Sequence, residues 1–97
     1  MKSSDRNTVA QLEALPNIGK AIAMKLQSIG IKHPIQLIGK DPFELHAELC
    51  LMKGQTVDPC IIDVFMAAIH FMEHGETLPW WRFTKERKRI QQRSETL

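Results

Sequence analysis

Apolar positions along this chain recur at helical spacing and are broken at short intervals by glycine and proline. Thr8-Val9-Ala10-Gln11 is a capping-box pattern, and it leads through Leu12 to Leu15, so a first helix is expected over residues 8–15. Pro16-Asn17-Ile18-Gly19 interrupts with turn residues. Ile18, Ile22, Leu26 and Ile29 then return at steps of three and four until Gly30 supplies a stop, which predicts a second helix. Pro34, Pro42 and Pro59 each stand where a first helical residue would, behind His33, Asp41 and Asp58, and aspartate is a good N-cap. Helices over 34–38, 42–52 and 59–74 follow, with Gly39, Gly54 and Gly75 as exits. The segment 59–74 is apolar nearly all the way round and reads as the central, buried helix. Ile22, Leu26, Ile62, Phe65, Ile69 and Met72 are the expected core. No alternating strand pattern interrupts this series, so the fold class is all-α: a compact bundle of about five short helices with a basic C-terminal extension.

Composition adds little to that class but narrows the setting. Of 97 residues, 43% are hydrophobic and 25% charged, as in an ordinary globular domain, and a chain of this length supports one core. We divide it into a helical domain over 1–79 and a Trp-anchored basic tail over 80–97. The longest run free of charge, glycine and proline covers 64–72, too short to span a bilayer. The polar start Met1-Lys2-Ser3-Ser4-Asp5 has no apolar stretch of signal-peptide type, so a cytoplasmic protein without a membrane partner is expected. In that compartment Cys50 and Cys60 are expected as reduced thiols with a structural role.

Charge changes the picture more, because the net +2 conceals segregation. Residues 1–40 carry six Lys/Arg against two acids, net +4. Residues 41–76 carry one lysine against seven acids, net −6, and residues 77–97 return to six against two, net +4. Two basic ends flank an acidic middle, offering surfaces for an anionic partner. Arg82, Lys85, Arg87, Lys88, Arg89 and Arg93 make the tail the densest electrostatic footprint.

Leu15-Pro16-Asn17-Ile18-Gly19-Lys20, with Ala23 and Leu26 following, resembles the helix-hairpin-helix motif. Its physical logic is that a tight turn exposes backbone N–H groups at the start of the second helix, where unpaired donors and the positive dipole end favour a phosphate. Gly19 would allow close backbone approach, Ile18 would pin the turn into the core, Ala23 would let the helices meet, and Lys20 would add a cation. Asn17 stands where the motif has its first glycine, a position that asparagine fills more readily than most residues when φ is positive. A longer set of residues resembles the small bacterial pathogenicity-locus family, some members of which carry the label mitomycin resistance protein. It comprises the hairpin through Ala21, Gly30-Ile31, Gly39-Lys40-Asp41-Pro42, Leu49-Cys50, Asp58-Pro59-Cys60, Asp63-Val64-Phe65 and Pro79-Trp80-Trp81. The resemblance implies a helix-hairpin-helix fold and, through it, DNA binding; the resistance label would suit a factor acting near damaged DNA. The hairpin is also similar, at the level of fold, to the C-terminal domain of bacterial competence regulators.

Other constellations point to other chemistries. His46 with Cys50, and His70 with His74, are i,i+4 pairs that could present two ligands each, but no short Cys-x-x-Cys unit accompanies them, and ordinary packing with no metal is expected. Cys60, early in a helix behind Asp58, stands where free N–H groups stabilise a thiolate, whereas Ile61 and Ile62 argue for burial and a raised pKa. Trp80 and Trp81 could stack on bases or pin the tail, and pinning is the plainer reading. No Ser/His/Asp order and no Gly-rich phosphate loop appears, so neither catalysis nor a cofactor is expected. The resulting expectation is a non-enzymatic protein that contacts DNA without sequence preference through Asn17, Ile18, Gly19, Lys20, Lys25, Arg82, Lys85, Arg87, Lys88 and Arg89. The alternatives are a protein-interaction module whose acidic middle meets a basic partner, and a small redox or metal protein using Cys50 and Cys60.

Overall fold

A computed structural model describes residues 8–96, with side chains over 11–92. The Met1-to-Asp5 start, the Thr8 side chain of the expected capping box and the Arg93 side chain lie outside the described set. Five α-helices occur in it and no strand: α1 (Thr8–Glu13), α2 (Lys20–Ser28), α3 (Pro42–Lys53), α4 (Cys60–His74) and α5 (Thr84–Thr96). Two 3-10 helices, Pro34–Leu37 and Trp80–Phe83, complete the chain. None of the described helices is long and apolar enough to cross a membrane.

Proline and aspartate set the helix starts as their chemistry dictates. Pro42 opens α3, and the Asp41 carboxylate accepts the Phe43 N–H at 2.8 Å. The Asp58 carboxylate accepts the Cys60 N–H at 2.9 Å, so α4 begins one residue later than its proline suggests but with the expected cap. α1 is shorter than its apolar spacing implies, because Ala14 and Leu15 close i→i+3 bonds at 3.2 and 3.1 Å and tighten the chain into the turn. Likewise α2 starts at Lys20 rather than Ile18.

The segment expected as an α-helix over 34–38 is a correction, for it forms only a 3-10 turn. Gln36 explains this: its amide oxygen accepts the N–H groups of Lys32 and His33 at 2.7 and 2.8 Å, while its amide nitrogen donates to the Gly30 carbonyl at 3.2 Å. Those bonds satisfy the loop locally, and Gly39 at φ +82° ends it before a second turn can form. The fifth α-helix is instead α5, within the expected tail.

α4 lies at the centre, packed on α3, on both 3-10 helices and on α5. Phe65, Leu12, Leu26, Leu37, Leu49 and Ile62 are sealed from water. Ile69 is buried too, while Ile22 and Met72 pack half-buried on the edge of this core.

Candidate nucleic-acid interface

The turn between α1 and α2 is built from the core outward. Leu12, Leu15, Ala23 and Leu26 are buried where the two helices meet, and Ala23 leaves room for close packing. Ile18 is buried as well, its N–H donating to the Leu15 carbonyl at 3.2 Å. Asn17 takes the left-handed conformation, φ +68°, at the position where the resembling motif carries glycine. Gly19, by contrast, has φ −93°, which any residue adopts, and a Cβ there would meet nothing within 4 Å. Neither backbone strain nor internal packing therefore explains the glycine; open space lies in front of it. Lys20 and Ala21 are exposed, and no side chain caps this N-terminus.

One contact was not readable from the sequence. The Asn17 side-chain amide donates to the Leu78 carbonyl at 3.0 Å, tying the turn to the segment that leads into Trp80. Two stretches from opposite ends of the chain are thereby brought side by side. Trp80 and the half-buried Lys25 both line a cleft floored in part by Ile22 of α2. Further along, Arg82, Lys85 and Arg89 line a basic groove of about 400 Å³ with Glu86, while Lys88 points into solvent.

Arg87 departs from its neighbours. It turns inward, 6% exposed, and its Nε donates to the Asp63 carboxylate at 2.5 Å, with Asp63 itself at 0% exposure in the first turn of α4. Thr84 donates to the other Asp63 oxygen at 2.6 Å, and Arg87 Nη1 donates to Gln91 at 3.0 Å. This cluster, with Phe83 against His70, anchors the tail. The tryptophan pair contributes less than expected to that anchoring, Trp80 being 37% and Trp81 60% exposed.

The His46–Cys50 pair serves the backbone. His46 Nε2 lies 2.8 Å from the Val57 carbonyl, a bond in which the ring must donate, and the Val57 N–H donates to the Cys50 sulfur at 3.3 Å. The i,i+4 pair thus grips both polar groups of one loop residue. His70 pairs with Glu76 at 2.8 Å. Among the described residues no group of three or more His, Cys, Asp or Glu is arranged to hold a metal ion.

Cys60 is exposed rather than buried, yet its thiol pKa is raised, by partial desolvation and by the hydrogen bond and negative charge of Asp58. Asp58 is shifted down in turn, chiefly by the Cys60 N–H and then by its thiol. Asp58→Asn should therefore speed alkylation of Cys60 at pH 8, read with a small thiol reagent; an unchanged rate would remove Asp58 as the cause. The same linkage fixes a sign. A carboxylate depressed in the folded state stabilises above its unfolded value of about pH 4 and loses that effect as pH falls through the folded one. The stability difference between wild type and Asp58→Asn should accordingly shrink in acid, not in base.

Comparison with known proteins places this geometry among relatives. The pathogenicity locus family model matches residues 5–89. The chain is 39% identical over 90 residues to the mitomycin resistance protein McrB of Streptomyces lavendulae, covering 93% of this chain and 83% of that one. No solved structure matches. A match running from before α1 into α5 spans the α1–α2 turn, the capped start of α4 and the Asp63–Arg87 anchor alike, and on that breadth the chain belongs to the pathogenicity locus family.

Proposed function

We propose that this protein binds DNA without sequence preference, through a helix-hairpin-helix contact in which the N-terminus of α2 and Lys20 meet a backbone phosphate while Arg82, Lys85 and Arg89 add cations. The observation that carries this reading is the Asn17–Leu78 hydrogen bond, which ties the uncapped, open helix start to the Trp-and-Arg segment. Arg87, named above among DNA contacts, is left out because its charge is committed to Asp63. Asn17 and Ile18 act here through the shape of the turn. A DNA-binding role also fits the resistance for which the Streptomyces lavendulae relative is named.

The test is a titration with single-stranded, duplex and branched DNA at two salt concentrations. Lys20→Ala should lower the log–log salt slope by about one, and Arg82→Ala/Lys85→Ala/Arg89→Ala together by about 2–3, with equal losses on unrelated sequences. Gly19→Asp, which adds bulk and negative charge in the open space before the helix, should weaken binding more than Lys20→Ala. If the folded variants bind as the parent does, the turn is only a connector. A second reading, a protein-interaction module, then gains from Leu51, 83% exposed, and its neighbour Met52 at the end of α3 near the exposed acid Glu48.

A further inference from the structure

The cleft beside the hairpin turn has a volume of about 380 Å³, the size of a small-ligand site. Its floor is aliphatic, from Ile22, Ile61 and Val64, and Trp80 forms one wall. Its rim carries Lys25, Asp58 and Cys60. A large ring left 37% exposed over an aliphatic floor, beside a second tryptophan that is 60% exposed, is apolar surface of the kind that marks an interaction site.

We infer that this cleft receives one unpaired nucleobase of a bound DNA strand, stacked against Trp80. The inference rests on the DNA-binding reading above and deepens it to a substrate class: DNA with unpaired bases. The first argument is position. Trp80 follows Leu78 by two residues, and Leu78 is the residue bonded to Asn17 of the turn, so a strand meeting the start of α2 passes the mouth of the cleft. Lys25 of α2 lines the cleft itself, while Lys20, five residues earlier and roughly 140° round the helix, stays with the phosphate at the helix start.

The second argument is chemistry. A base presents a π-face to an indole whatever its sequence, and an aliphatic floor accepts its flat body without demanding particular hydrogen bonds. The rim then sets the polarity. Lys25 attracts the phosphate, and the Asp58 carboxylate, which already accepts the Cys60 N–H, repels it from the cleft, so that the base rather than the backbone enters. A paired base cannot enter without leaving its stack, and that cost favours strands in which the base is already free.

The experiment uses the full chain with three probes: oligothymidylate, a fully paired duplex, and the same duplex carrying one unpaired thymine. Tryptophan emission should be quenched at saturation by the first and third and little changed by the second. Trp80→Ala should weaken oligothymidylate binding about 5- to 150-fold while leaving duplex affinity within about twofold. Bound oligothymidylate should also slow alkylation of Cys60 on the rim, a readout in the unmutated protein that holds if Trp80→Ala fails to fold. Equal losses on paired and unpaired DNA, or unchanged emission and unchanged Cys60 alkylation at saturation, would overturn the base site and leave backbone binding standing. Failure to bind any of the three would overturn both.

Discussion

Replacing Arg87 with alanine should cost about 3–5 kcal/mol in chemical denaturation, because it would leave the Asp63 carboxylate sealed in the core without its counter-charge. Among the described side chains Thr84 would remain as a donor to Asp63. Lys88→Ala, one residue along and exposed, should change stability by no more than about 0.5 kcal/mol. The asymmetry between breaking and replacing a buried pair gives a sharper control. The double variant Asp63→Leu/Arg87→Met, which removes both charges and keeps apolar volume, should be more stable than Arg87→Ala. If Arg87→Ala and Lys88→Ala are indistinguishable, the ion pair does not hold α5.

Phe65→Ala should have an effect of similar size, about 3–5 kcal/mol, from a different cause. Phe65 has no exposed surface and sits in the middle of α4, where its ring is surrounded by the side chains of the core cluster. Truncation removes the transfer energy of the ring and leaves a void that the packed helices can fill only in part. Phe43→Ala, at a half-buried ring in the first turn of α3, should cost clearly less. A Phe65→Ala cost below about 1 kcal/mol would mean that α4 is not the centre of the core.

What could be read in advance and what could not divides along the range of the forces involved. Pro42 behind Asp41, and the largely apolar run from Ile61 to Met72, act within a turn or two, and the helices they announce are present. The positive φ of Asn17 is equally local. The loop over 34–37 was misjudged because a single glutamine side chain reaches back to three backbone groups, an effect that apolar spacing does not report. Arg87 was misjudged for a different reason. In sequence it is one of several like charges, and only a partner 24 residues away separates it from them. A faint signal existed: Asp63 is the lone acid among the apolar residues of 60–72, and a buried acid calls for a base. The candidate site divides in the same way: the turn at 16–19 between two helices was legible, but its neighbour across the Asn17–Leu78 bond was not.

The Asp63–Arg87 anchor also bears on how the chain is made. Synthesis adds the central helix first, so the carboxylate meant for the interior emerges 24 residues ahead of the guanidinium that neutralises it. Until then, closing the core would strand a charge away from water, and the partial chain does better to keep α4 wet. A chain that stops before Arg87 should therefore bury α4 less completely than the whole bundle does.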